Sequence, residues 1–122
     1  MSVDIILYRP DIPEDIVPWK ATSIEDATDD ETIIRINVTY TYQQQIRDQY
    51  PQLYPKWIEQ QNGAIIAQTL PGVLLRLRAE HPTLTDINHP DYDKRCSSMI
   101  HDLGTVITVA VQHPDYRVVT QS

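Results

Sequence analysis

Residues 34–42 alternate without a break, with Ile34, Ile36, Val38, Tyr40 and Tyr42 set against Arg35, Asn37, Thr39 and Thr41. A period of two puts the first set on one face of a strand, and no helix face gathers all five. The segment therefore predicts a half-buried strand with an antiparallel neighbour. Residues 3–8 are shorter and almost wholly apolar: Ile5 and Leu7 face one way, Ile6 and Tyr8 the other. That pattern predicts a first strand covered on both faces.

Helical periodicity takes over after residue 42. Residues 43–49 predict a short helix with Ile46 inward. Pro55 suits the first position of a longer helix, running to about Leu70 and turning Trp57, Ile58, Ile65, Ile66 and Leu70 toward the core. Gly63 weakens that helix locally, and Pro71-Gly72 predicts a turn. Residues 73–79 fit two readings. Val73, Leu75 and Leu77 alternate with Leu74, Arg76 and Arg78 as a strand would, while Leu70, Val73, Leu74 and Leu77 also fit a helix continuing through a kink. The alternation favours the strand.

The tetrapeptide His-Pro-Asp-Tyr occurs twice, at residues 89–92 and 113–116. Proline fixes φ and donates no backbone N–H, so each copy marks an element boundary. Between them the pattern predicts a helix opening at Pro90, with Asp91 and Asp93 in its first turn and an apolar stripe of Cys96, Met99, Ile100 and Leu103. Gly104 would end it. Thr105, Ile107, Val109 and Val111 then read as a strand. The second tetrapeptide reads as a type I reversal, and residues 118–120 as a last short strand. The expected fold class is α+β: a mainly antiparallel sheet of four to five strands with two main helices packed on one face. The 24-residue offset carries no further similarity, so no internal repeat is expected.

A chain of 122 residues predicts a single domain over 1–122. Within it, residues 9–32 form a connection longer than packing requires. Pro10, Pro13 and Pro18 keep it extended as far as Trp19, and Ser23-Ile24-Glu25-Asp26 resembles a helix N-cap leading into one or two turns.

Charge singles out the same segment. The chain carries a formal net charge of −7. Up to Glu31 there are nine acids and only two bases, Arg9 and Lys20; the remainder holds eight of each. The whole surplus therefore lies in the first quarter, where it repels phosphate and anionic lipid and attracts a basic surface. Phe is absent, so Tyr, Trp and branched aliphatics must fill the core. One cysteine, Cys96, excludes an internal disulfide and a cysteine-rich zinc module. Residues 1–4 lack a basic leader and no apolar run is long, which predicts no secretory signal, no membrane association and a cytoplasmic location.

Catalytic and metal chemistry find little support. His81, His89, His101 and His113 lack the short spacings of ligand sets, so neither a metal nor a cofactor is expected. Gly63, Gly72 and Gly104 lie too far apart for a phosphate loop. Ser97 and Ser98 fall in a predicted helix, away from a nucleophile elbow, and Cys96 falls on an apolar stripe as an inert thiol. Arg76, Arg78, Lys94 and Arg95 read as solvated charges, and a pI near 4.8 argues against nucleic acid.

The function expected is that of a small acidic protein-binding module. It would mask or dock a basic partner surface in the manner of an inhibitor or immunity-type protein. Glu25, Asp26, Asp29, Asp30 and Glu31 would steer the partner, with Trp19 or Tyr8 as aromatic anchor. One alternative is a structural or assembly subunit of a viral or secretion particle, with exposed strands making homo-oligomer contacts. A third is a small enzyme whose turn-built site contains His89 and His113.

Overall fold

The computed structural model describes residues 2–122. Strand β1, Ser2–Tyr8, runs through the middle of a four-stranded sheet. The two-residue strand β2, Thr22–Ser23, pairs parallel with β3, Ile33–Thr39. β3 in turn lies antiparallel to β1, with Ile5 opposite Ile36. On the other side of β1, strand β4, Arg117–Gln121, is also antiparallel, with Ile6 opposite Val119. The order is β2-β3-β1-β4. The expected α+β class holds, with a mixed sheet in which antiparallel pairing dominates.

Period-two alternation sends β1 into two cores at once. Val3, Ile5 and Leu7 join Ile34, Ile36, Val38 and Val118 in the main cluster, under the helices. Ile6 and Tyr8 join Ile33 and Val17 in a smaller cluster on the opposite face. That second face is covered by the long connection. Its short helix α1, Val17–Lys20, buries Val17, while Ile12 and Ala21 pack beside it. Arg35 fastens this cover by donating from Nη2 to the Pro18 carbonyl at 2.7 Å. The proline-containing half of the connection is thus part of the fold.

The helical face is built from α2, Gln44–Gln49, α3, Pro55–Ile58, α4, Gly63–Glu80, and α5, Lys94–Gln112. Ile46 is fully buried and Pro55 opens α3, both as the sequence predicts. α5 lies against β3 and β1, and α4 packs along α5. The two run antiparallel. The Asp93 N–H, just before α5, donates to the Leu84 carbonyl, just after α4, and Gly63 at the start of α4 abuts His113 at the end of α5.

Several expectations need correction. The helix expected over 55–70 is interrupted, since α3 stops at Ile58 and α4 starts at Gly63. Residues 73–79 are helical, and Pro71-Gly72 lies inside α4 rather than in a turn. Here Leu70, Val73, Leu74 and Leu77 are buried while Leu75 faces solvent, which is a 3.6-residue period and not a two-residue one. Pro71 leaves the Ala67 carbonyl without its helical donor, a local cost that this buried stripe offsets. Residues 105–111 are also helical, since Gly104 does not stop α5. Leu103, Val106, Val109 and Ala110 bury one face, and packing there overrides the β-branched preference of Val and Thr. Pro90 and Asp91 lie in a turn before α5, whose N-cap is Asp93. Ser23 belongs to β2 instead of capping a helix, and the Asp26 N–H closes a turn onto its carbonyl.

Both His-Pro-Asp-Tyr copies do mark boundaries, and they bracket α5. In each, the Tyr N–H donates to the His carbonyl, at 3.0 Å for Tyr92 to His89 and 3.1 Å for Tyr116 to His113. Proline's fixed φ suits the second position of such a turn.

The phenylalanine-free core makes the fold sensitive to alkali. Tyr40 donates its hydroxyl to the Leu53 carbonyl and Tyr54 donates to that of Thr41. Burial drives both phenols far above their ordinary range. Burial and the Glu80 carboxylate push Tyr50 up to about 12, and burial with nearby Asp93 pushes the Cys96 thiol to about 11. In the unfolded chain these groups ionise near 10 and 8.5 respectively. The unfolded state therefore sheds protons first. Stability present below about pH 8.5 falls as pH rises, and keeps falling to about pH 12. Urea melts at pH 8, 10 and 11 should show a stepwise drop in midpoint; equal midpoints would refute the assignment.

Candidate functional site

Residues 24–31 hold most of the acids proposed for partner binding. Ile24 and Ala27 pack on the main core and pin the loop against the helical layer. Glu25, Asp26, Asp29 and Asp30 stand exposed around these two anchors, and Glu31 is half-buried. The Ser23 hydroxyl bonds the Glu25 carboxylate and holds its pKa below the ordinary value. Thr22 Oγ1 donates to Glu31 Oε2 at 3.4 Å. At the loop's far end the Tyr116 hydroxyl donates to the Glu31 carbonyl at 2.7 Å, which draws the second His-Pro-Asp-Tyr turn alongside.

That contact gathers carboxylates from three parts of the chain. Burial raises the Tyr116 phenol, and the charges of Asp115, Asp11 and Asp30 raise it further while Arg9 opposes them. Asp115 is the member that sequence reasoning missed. It belongs to the charge-balanced part of the chain, and its signal was the repeated tetrapeptide.

Few of these acids are neutralised by the chain itself. Arg9 pairs with Asp11 at 2.5 Å, lowering the Asp11 pKa, and Arg35 pairs with Asp4 at 3.6 Å. Among the described residues, Glu14, Asp15, Glu25, Asp26, Asp29, Asp30 and Glu31 form no ion pair.

The two aromatic candidates part company. Trp19 is 85% exposed, the most exposed large apolar side chain among the described residues. Tyr8 is only 4% exposed, enclosed with Ile6, Val17 and Ile33 under the α1 cover. Its ring belongs to the second core and is not presented to a partner.

Beside the acidic loop, Ile24 and Asp29 form one wall of an open cleft of about 600 Å³ over α5, which Arg78 of α4 flanks. His101, Thr108 and Gln112 project into it. An adjoining apolar trough of about 320 Å³ is lined by Pro71, Leu74 and Leu75 of α4. The depressions share Arg78, Ile100 and Gly104, and so make one groove along the α4–α5 seam. Nothing in the sequence pointed to it, because much of its lining comes from residues 73–79 and 105–111, which were read as strands.

The remaining candidates do not converge. His89 and His113 lie at opposite ends of the 19-residue α5, about 28 Å apart along its axis, so no one site contains both. His89 Nδ1 accepts the Asp91 N–H at 3.0 Å, while the His113 ring stacks on Tyr116 with centroids 4.1 Å apart. Cys96 is fully buried, and its raised pKa keeps it a thiol. Among the described residues, no group of three or more His, Cys, Asp or Glu side chains could hold a metal ion, and no helix is long and apolar enough to cross a membrane. No protein-family model, curated protein or solved structure matches the chain.

Proposed function

We propose that this chain is a cytoplasmic protein-binding module that docks on, and masks, a basic surface of a protein partner, as an inhibitor or immunity-type protein does. The observation that carries the reading is the cluster of exposed carboxylates left without cationic partners, held in place by a loop whose own apolar residues are anchored in the core. Desolvating such charges is costly without a cation to receive them, which selects for a basic partner. Trp19 supplies apolar contact area at low entropic cost, as interface anchors do. Asp115 and Asp30 extend the negative field around the Tyr116 end of the sheet, while the charge of Asp11 there is offset by its partner Arg9.

The test separates steering from holding. With a basic partner recovered from the native host, replacing Asp26, Asp29 and Asp30 by Asn and Glu31 by Gln together should slow association by about 10- to 100-fold in low salt and flatten its salt dependence. The melting temperature should stay within about 2 °C, since surface carboxylates away from packing contribute little. Trp19→Ala should act on dissociation instead, costing about 2 kcal/mol. An unchanged association rate in the quadruple variant would remove the steering role.

The assembly reading draws on a different observation: β4 is an edge strand, paired with β1 on one side, whose outer side, among the described residues, is bridged at Arg117 by Asn62.

A further inference from the structure

We infer that the groove between α4 and α5 seats a cationic amphipathic helix of the partner, a proposal that rests on the acidic-face reading and names what the partner presents there. On α5, Ile100, Gly104, Thr108 and Gln112 recur every four residues, so one face of the helix lines the groove for about 18 Å. That is the length of three helical turns. Across it, Leu74 forms floor and Leu75, 68% exposed, forms a free apolar wall. Helix-in-groove recognition uses this combination of an apolar trough with polar margins.

Gly104 gives the second line of argument. Glycine weakens a helix interior relative to alanine, so it needs a reason there. This chain supplies none: no glycine has positive φ, and a Cβ at Gly104 would meet nothing within 4 Å. Gly72 on α4 is equally unconstrained. Bare backbone at Gly104 instead leaves the groove open where trough and cleft join, which permits close approach by a second helix.

Charge then selects the occupant and its direction. Asp29 lines the cleft two residues before Glu31, whose carbonyl accepts the Tyr116 hydroxyl just past the end of α5. Arg78, near the end of α4, lines a depression with Ser97 and Ile100 in the first half of α5. A bound helix would set its positive N-terminal end at Asp29 and its negative C-terminal end at Arg78. Basic side chains on its outer margin meet the loop carboxylates. A second copy of this chain brings a further −7 and is opposed by the same field.

The probe is a synthetic 18-residue peptide with Leu at i, i+3, i+4 and i+7 and Lys elsewhere, compared with its Glu counterpart. The Lys peptide should bind one to one by calorimetry and shift the amide resonances of Gly72, Leu75 and Gly104. Leu75→Asp and Gly104→Leu should each weaken it at least tenfold, with folding checked by circular dichroism. Leu75→Asp changes an exposed position and serves if Gly104→Leu fails to fold. Equal binding to both variants, with shifts confined to residues 25–31 and Trp19, overturns the groove and leaves the acidic-face reading standing. Equal binding of the Lys and Glu peptides overturns the cationic occupant. A dimer in light scattering that Leu75→Asp dissolves overturns it in favour of a second copy.

Discussion

Replacing Gly63 with alanine is expected to lower the melting temperature by on the order of 10 °C, from a loss of about 3 kcal/mol. The new Cβ would sit 2.3 Å from the His113 carbonyl oxygen, 3.0 Å from Pro114 Cα and 3.1 Å from the Ala110 carbonyl oxygen. All three are backbone atoms, so no rotamer change relieves the overlap. The approach is this close because the start of α4 is satisfied by the second His-Pro-Asp-Tyr turn. Gly63 N–H donates to the Tyr116 carbonyl and Ala64 N–H to that of Pro114, both at 2.8 Å. Asn62 Oδ1 accepts the Ile65 N–H at 3.0 Å and completes the cap. A methyl group must push the turn away, and two helix-end donors lose their acceptors with it. Gly104→Ala is the control, where added Cβ meets open space and the melting temperature should hold or rise. If Gly63→Ala melts like the parent, the clamp between α4 and the turn is not present in solution.

The second large effect is expected at Asp93. One carboxylate oxygen accepts from the N–H groups of Arg95 and Cys96, at 2.9 and 3.2 Å, which caps α5. The other accepts from Thr41 Oγ1 at 3.0 Å and from the Gln43 amide. A single side chain thus fixes the start of α5 against the segment leaving β3. Asp93→Ala removes a cap worth about 1 kcal/mol. It also strands the hydroxyl of Thr41, which is 2% exposed, at a further cost of about 1–3 kcal/mol. Urea unfolding should show a combined loss of about 3 kcal/mol. Thr41→Val in the Asp93→Ala background should recover part of it, since the orphaned hydroxyl is then gone. Strict additivity of the two substitutions would show that Thr41 finds another partner.

The elements legible in the sequence were those whose signal is local. β3 announced itself by alternation, β1 by its near-continuous apolar run and Pro55 by its place at a helix start; the two tetrapeptides marked boundaries, although the helix between them was expected to stop at Gly104. Residues 73–79 and 105–111 misled for a definite reason. Over six or seven residues, a helix carrying one exposed apolar side chain mimics a strand, and Leu75 and Val111 each supplied that residue. The site divides the same way. The acidic surplus and Trp19 were readable because charge and composition do not depend on folding. A first strand covered on both faces already implied a buried Tyr8, at odds with its role as an anchor; what was not readable is that residues 12–21 supply the cover by returning over the second face of the sheet.

The amino-acid sequence by itself determined the α+β class, the element boundaries at the two His-Pro-Asp-Tyr turns and the concentration of negative charge in the first quarter. Those follow from periodicity, proline stereochemistry and titration, each set by neighbouring residues. Only the tertiary structure decided which aromatic ring is free, that Asp115 joins Asp11 and Asp30, and that a groove lined in part by Gly104 runs between α4 and α5. Each of these depends on contacts between segments tens of residues apart, whose geometry is set by packing rather than by local pattern.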